Sequence, residues 1–375
     1  MNNNVIRLCF ASSAVALALA AAAEASDALT PAILEANRLV RLGAYPEAEE
    51  LLRMARGEAD RSAIRDYRLG AILSNLGWLC RRSGRIAEAR ELASESVRLY
   101  EALNLPGREA NAWALLGAIE QDAGRYLEAE DRFRRSIILI EQTHGADAPQ
   151  LAGPLNDLAT LHLARGRYTR ALRGFERVLA LQQRHPPDPA SDYARTLINL
   201  GRVRQALHET EAAEQIYGDA LDWLGAAPRE APDLRAAALT NLATLYAETR
   251  RDAAAEEAQR KALAIWESTI GPRHPLYAKG LTNLAVIRYE RGRPRDAAGL
   301  LRKALEIAES RLGPSHPQVG HTLSTYATVL RALKRGKEAK RAGKRARTIL
   351  ARHADDNLLD ATIHVSDLGF RPSSR

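Results

Sequence analysis

The sequence predicts an all-α protein built from about eight stacked antiparallel helical hairpins. Three observations lead to this prediction: an alanine that recurs along the chain, small residues at fixed distances from it, and apolar residues spaced three and four apart. The alanine returns at intervals of 40 to 42 residues, as Ala48, Ala89, Ala129, Ala171, Ala213, Ala255, Ala297 and Ala339. Repetition in phase is typical of arrays in which each unit buries its apolar faces against its neighbours.

Two further positions hold small residues in almost every copy. Twelve residues before the recurring alanine stand Ala36, Gly77, Gly117, Ala159, Gly201, Ala243, Ala285 and Ala327. Seven residues after it stand Ala55, Ser96, Ser136, Val178, Ala220, Ala262, Ala304 and Ala346. Because bulky side chains would push two crossing helices beyond the usual separation of about 8–10 Å, we expect these positions at the helix contacts.

A turn residue separates the two helices of each predicted hairpin. Five copies have glycine there, which suits a helix end because glycine adopts left-handed backbone angles at little cost: Gly43, Gly84, Gly124, Gly166 and Gly292. The other three copies have His208, Arg250 and Lys334. We expect those turns to form at some cost in stability.

The pattern resembles the tetratricopeptide repeat, and the 42-residue period resembles its kinesin-light-chain-like subtype. That subtype has a longer link between hairpins, seen here as IGPRHP at Ile270–Pro275 and LGPSHP at Leu312–Pro317. The resemblance implies a right-handed α-solenoid over residues 29–352.

The two ends of the chain differ from the repeats. Residues 1–25 contain Arg7, an apolar run from Leu8 to Ala23 and small residues suited to cleavage, the layout of a bacterial signal peptide. We therefore expect a periplasmic or secreted protein; the alternative is an alanine-rich first helix of a cytoplasmic one. Residues 353–375 form a tail outside the repeat pattern.

The sequence gives no indication of an enzyme, a cofactor or a metal site. It lacks the nucleotide-binding glycine motifs, the G-x-S-x-G elbow and H-E-x-x-H, since Ala212 stands where the second histidine would follow His208. Cys80 lies on the apolar face of its predicted helix, where we expect a small core residue. His274 and His316 precede equivalent prolines, so we expect them to cap or orient the next helix.

The resemblance implies that the first helices of successive hairpins line a concave groove for a peptide or a partner helix. One polar position in this groove holds Asn199, Asn241 and Asn283, spaced 42 residues apart, and Asn75 and Asp157 earlier in the chain. Asparagine amides both donate and accept hydrogen bonds, so a ladder of them can hold a peptide backbone. The alternative is that these amides only stabilise stacking between repeats.

Cations accompany the asparagines. Arg195 lies four residues before Asn199, Lys279 lies four before Asn283, and Arg202 lies three after Asn199, so each shares a helix face with its asparagine. The set resembles the carboxylate clamp of chaperone-binding tetratricopeptide domains, although a second cation would be expected at Asn283. The resemblance implies a partner that is acidic or that presents a free C-terminal carboxylate.

The last predicted hairpin is strongly basic. Residues 331–352 contain ten Lys or Arg and one acid, against a net charge of +8 for the whole chain. The candidate basic patch consists of Lys334, Arg335, Lys337, Lys340, Arg341, Lys344 and Arg345. We favour a solubilising cap over contact with anionic membranes, and we disfavour nucleic acid because no aromatic side chain is available among these cations to stack on bases.

The sequence thus predicts a non-enzymatic scaffold or adaptor of the bacterial envelope that binds a protein or peptide in its groove. Two alternatives remain: a cytoplasmic regulatory adaptor of the same fold, and a basic protein that associates with membranes or nucleic acid through residues 331–352.

Overall fold

The computed structural model describes residues 29–187, 191–226 and 231–352, which contain only helices, turns and connecting segments. The helices are α1 (29–41), α2 (Tyr45–Arg61), α3 (Tyr67–Arg82), α4 (Ile86–Ala102), α5 (Pro106–Asp122), α6 (Tyr126–His144), α7 (Ala152–Ala164), α8 (Tyr168–Arg184), α9 (Ser191–Ala206), α10 (Thr210–Ala226), α11 (Pro232–Glu248), α12 (Asp252–Thr269), α13 (Pro275–Glu290), α14 (Pro294–Leu312), α15 (Pro317–Ala332) and α16 (Gly336–Arg352). A single 3₁₀ turn, Pro149–Leu151, precedes α7. None of the helices described has the length and apolarity needed to cross a bilayer. The predicted signal peptide and the 353–375 tail lie outside the described residues.

The helices pair into eight hairpins, each made of an odd-numbered first helix and the even-numbered second helix that follows it, so the predicted all-α class is confirmed. The chain divides into two compact units, Met1–Leu158 and Ala159–Arg375, hereafter unit 1 and unit 2, with the division inside α7. In unit 1, the first helices α3 and α5 contact each other. In unit 2, α9 contacts α11, α11 contacts α13, and α13 contacts α15.

The recurring small residues lie where the sequence places them, between packed helices. All eight recurring alanines are buried, none more than 3% exposed. At Gly77, an added Cβ would lie 3.4 Å from the backbone oxygen of Ala89 on the second helix of the same hairpin. At Gly117 and Gly201 the Cβ would lie 2.7 Å from the Phe133 ring and 2.5 Å from the Tyr217 ring. Helix contact therefore requires the small side chains, and at these last two glycines an aromatic ring occupies the space.

The hairpin turns have the backbone that the sequence predicts. Gly84, as an example, has φ +77°, and the three substitutes also adopt the left-handed region, with φ of 63° at His208, 60° at Arg250 and 57° at Lys334. For a residue with a side chain this conformation costs about 1 kcal/mol or more. All three strained turns lie in unit 2.

The predicted roles of His274 and His316 are confirmed. The Nδ1 atom of His274 accepts a hydrogen bond from the Leu276 backbone N–H at 3.2 Å, and Nδ1 of His316 accepts one from Gln318 at 3.1 Å. Each histidine is thus the N-cap of a first helix and satisfies a backbone donor that the helix leaves unpaired. Cys80 is fully buried, and burial raises the pKa of its thiol to about 11, as befits a core residue.

Candidate functional site

The first helices of unit 2 present four rows of side chains on one face. Residues 4, 7 and 11 positions apart lie on the same side of an α-helix, so Arg195, Asn199 and Arg202 share a face of α9. By the same spacing, Asn241 and Glu248 share a face of α11, and Lys279, Asn283 and Glu290 share a face of α13. We call this surface the unit-2 face, consisting of Arg195, Asn199, Arg202, Asn241, Glu248, Lys279, Asn283 and Glu290.

The predicted clamp residues occupy different environments on the unit-2 face. Arg195 is exposed, and its Nε lies 3.7 Å from a carboxylate oxygen of Asp192. Arg202 is half-buried and donates a hydrogen bond to the Asn199 side-chain oxygen at 3.3 Å. Asn241 and Lys279 are half-buried. The structure therefore joins one predicted cation to one predicted asparagine.

Asn283 departs from the predicted ladder. It is 3% exposed, so its amide is not available to a peptide lying on the surface. In unit 1, the equivalent Asn75 donates to the Asn37 side-chain oxygen at 3.1 Å, a bond between neighbouring first helices. At Asn75 the amide serves the repeat structure, which is the alternative that the sequence left open.

The structure reveals an acidic row that the sequence analysis missed. Asp122, Glu248 and Glu290 each stand seven residues before a recurring alanine, at the end of a first helix. Their partners come from the preceding first helix. In unit 1, Arg81 Nε donates to Asp122 at 2.6 Å; in unit 2, Gln205 Nε2 donates to Glu248 at 2.9 Å. The residue that corresponds to Arg81 and Gln205 before Glu290 is Ala247, which has no polar side chain.

The partner of the acidic row thus changes from a cation to an amide to a methyl group. Within the described residues, Arg202, Glu248 and Glu290 form no ion pair. Burial raises the pKa of the Glu248 and Glu290 carboxyls and lowers the pKa of the Arg202 guanidinium, so the surroundings disfavour the charged form of each. Perturbed and unpaired charges on one face are typical of functional surfaces.

A buried hydrogen-bond chain fixes the geometry at Glu248. The fully buried Tyr217 hydroxyl donates to Gln205 Oε1 at 3.0 Å, which leaves the Gln205 amide nitrogen directed at Glu248. The Tyr217 ring is itself held against Gly201. The orientation of Glu248 is therefore set by the helix contact beneath it, a rigid support for a surface carboxylate.

Two groups of charges elsewhere in unit 2 are paired. The buried Glu256 of α12 accepts from Arg288 Nε at 3.2 Å and also bonds Arg291, and Arg260 lies 3.1 Å away. On the second-helix side, Arg251 and Glu214 form a two-bond pair at 2.7 and 3.0 Å.

The predicted basic patch is exposed throughout, but its members differ in their contacts. Arg335 binds Glu338 at 2.7 Å, and Arg345 binds Glu309 and the Pro314 carbonyl oxygen. Lys337, Lys340 and Lys344 form no ion pair with any described residue, and Lys334 forms none either.

The chain belongs to the tetratricopeptide repeat family. Models of this repeat match residues 69–106, 108–184, 155–223 and 234–310, together more than half of the chain. This membership confirms the resemblance drawn from the sequence, and it indicates a protein-interaction scaffold with an α-solenoid fold.

Three individual proteins illustrate the similarity. The chain is 29% identical over 182 residues to cellulose synthase operon protein C of Pseudomonas fluorescens (strain SBW25), covering 48% of this chain and 13% of that protein. A Rap protein crystallised with competence and sporulation factor matches 88% of this chain and 99% of its own at 14% identity, with a TM-score of 0.55. A putative kinesin light chain of Podosopora anserina with nearly identical TPR-like repeats matches 55% of this chain and 97% of its own at 21% identity, with a TM-score of 0.46.

Proposed function

We propose that this protein is a non-enzymatic scaffold that binds a segment of a partner protein along the unit-2 face. The observation that carries the proposal is that Arg202, Glu248 and Glu290 occupy one face of the first helices and form no ion pair with a described residue. At the position of Glu248 and Glu290, unit 1 instead has Asp122, which forms an ion pair with Arg81. The Rap protein crystallised in complex with competence and sporulation factor supports the idea that this architecture can hold a bound factor.

The charge pattern defines the partner more closely than the clamp resemblance does. Arg195 and Arg202 offer cations toward the start and middle of the first helices, whereas Glu248 and Glu290 offer carboxylates at their ends. The two groups stand up to eleven residues apart on a helix, about 16 Å. We therefore propose a partner segment with an acidic group at one end and a basic side chain at the other. Charge-assisted bonds formed on desolvated groups would favour this segment over a purely acidic one.

Site-specific photo-crosslinking tests the proposal. A photoreactive residue at Ala237, half-exposed in the same row as Arg195, should capture the partner, whereas the equivalent position in unit 1, Ala71, should not. Capture should fall at least tenfold when Arg202→Ala and Glu290→Gln are combined. Equal capture from Ala71 and Ala237, or capture unaffected by the charge changes, would refute the proposal.

We further propose that the protein is exported, on the strength of the layout of residues 1–25. Sequencing the N-terminus of the protein isolated from cells should give a chain that begins at Glu24 or Ser26. An intact N-terminus would favour the cytoplasmic adaptor instead.

A further inference from the structure

The solvent side of α16 has a charge composition that the neighbouring second helices of unit 2 do not share. Helix α16 has seven cations and one acid, whereas α14 has four cations and three acids, and α12 has two cations and four acids. A helix that needs only a polar outer surface can use charges of both signs, as α12 and α14 do. One-sided charge raises the self-repulsion of the helix, so it requires a separate explanation.

The cations of α16 form a continuous line on its exposed side. Lys337, Lys340, Arg341 and Lys344 follow the three- and four-residue spacing of one helix face, and all four are exposed. We call them the α16 strip. The opposite face holds Ala339, Ala346 and Ile349, which are buried, and Ile349 contacts α15 at Gly320. The strip therefore points away from the packed helices.

Residue choice distinguishes the strip from the other cations of the chain. The protein uses arginine in nearly all of its ion pairs, where the planar guanidinium binds carboxylates with two bonds, as in Arg251–Glu214. The strip instead contains three of the seven lysines of the chain, and none of the three is paired with a described acid. Lysine is a compact, hydrated charge suited to long-range attraction rather than to a fixed two-bond geometry.

We propose that the α16 strip binds the surface of an anionic lipid membrane peripherally. The strip is straight, and lipids can diffuse to match its spacing, so a fluid anionic surface fits it without a fixed arrangement of phosphates. The exposed side of α16 carries no large apolar side chain, so contact is electrostatic and does not involve insertion into the acyl chains. It carries no aromatic side chain either, which removes base stacking as a source of affinity for nucleic acid.

Vesicle co-sedimentation of the purified full chain tests this proposal. The protein should bind phosphatidylcholine vesicles that contain phosphatidylglycerol and should not bind phosphatidylcholine alone. The combined change Lys337→Gln, Lys340→Gln and Lys344→Gln should weaken binding roughly 100-fold. Each of the three lysines removed should account for a similar share of this loss, because every cation near an anionic surface adds about the same free energy of binding. Added salt should also weaken binding of the wild-type protein, because salt screens the attraction between exposed charges.

The matched control is Arg302→Gln with Lys303→Gln on α14, two exposed cations in a helix of mixed charge, which should leave vesicle binding unchanged. Circular dichroism would verify that both variants remain folded. Three outcomes would overturn the proposal: vesicle binding that the α16 changes do not affect, equal weakening by the control, or binding to duplex DNA without binding to anionic vesicles.

Discussion

Units 1 and 2 pack successive first helices in the same way but place different charges on them. At one pair of positions in neighbouring first helices, unit 1 has an ion pair between Arg81 and Asp122. In unit 2 the same positions hold Gln205 and Glu248, which form a hydrogen bond. One repeat further along they hold Ala247 and Glu290, and the alanine has no polar side chain. The turns differ in the same direction. Glycine forms all the hairpin turns of unit 1, while His208, Arg250 and Lys334 strain three turns of unit 2. The two units therefore differ at these hairpin turns and at this pair of positions, although Ala63 and Asn104 of unit 1 also adopt left-handed backbone angles in turns between hairpins.

The largest expected effect concerns the helix contacts, which should require glycine at the equivalent position in both units. Gly117→Ala in unit 1 and Gly201→Ala in unit 2 should each lower the free energy of unfolding by about 1–3 kcal/mol, because the new Cβ would overlap an aromatic ring. Hydrogen exchange would assign the loss to the altered unit. Gly218→Ala is the control: nothing lies within 4 Å of its Cβ, so it should stabilise α10 by about 0.5–1 kcal/mol. A loss at Gly218 as large as at Gly201 would contradict the packing account.

The turns should respond with opposite signs in the two units. Arg250→Gly should raise the stability of unit 2 by about 1 kcal/mol, because glycine removes the left-handed strain, and Gly84→Arg should lower the stability of unit 1 by a similar amount. Thermal unfolding with hydrogen exchange measures both. Destabilisation by Arg250→Gly would show that the arginine side chain stabilises its turn more than the strain costs.

The acidic row should also separate the units. Arg81→Ala should destabilise unit 1 by about 0.5–1 kcal/mol, the usual range for a partly exposed ion pair. Glu290→Gln should leave unit 2 as stable or slightly more stable, since its carboxylate forms no ion pair with a described residue and burial raises its pKa more than the charge of Arg250 lowers it. A clear loss of stability with Glu290→Gln would mean that the carboxylate has a stabilising role that its surroundings do not explain.

The pH dependence follows from the same raised pKa values. A carboxyl whose pKa is higher in the folded chain than in the unfolded chain binds its proton more tightly when folded. Its contribution to stability is therefore present below the ordinary glutamate pKa of about 4.3 and is lost as the pH rises through the raised value. Glu248→Gln with Glu290→Gln should remove this component of the pH dependence. An unchanged pH profile of unit 2 stability would contradict it.

The fold could be predicted almost completely, because helix crossings demand small side chains and the demand repeats at a fixed spacing. The same reasoning placed the left-handed turns and the capping histidines. The candidate site was predicted less well. The asparagine ladder was inferred from spacing alone, and spacing does not reveal that Asn283 is buried or that Asn75 bonds Asn37.

The acidic row could have been predicted from the sequence. Asp122, Glu248 and Glu290 share one position, and the paired position changes from Arg81 to Gln205 to Ala247. Finding the row requires a comparison of two positions in neighbouring repeats, because each acid is paired with a residue on the preceding first helix. Partial desolvation of Arg202 depends on its burial in the folded chain, which the spacing of the repeat does not indicate.

The central claim is that the unpaired charges of unit 2 are the binding surface, and one substitution tests it directly. Ala247→Arg places at Glu290 the cation that unit 1 has at Asp122. With a photoreactive residue at Ala237, the folded variant should capture the partner several-fold less. Because Ala247 is buried, circular dichroism and thermal unfolding would verify that the variant remains folded. Undiminished capture by a folded Ala247→Arg variant would contradict the claim.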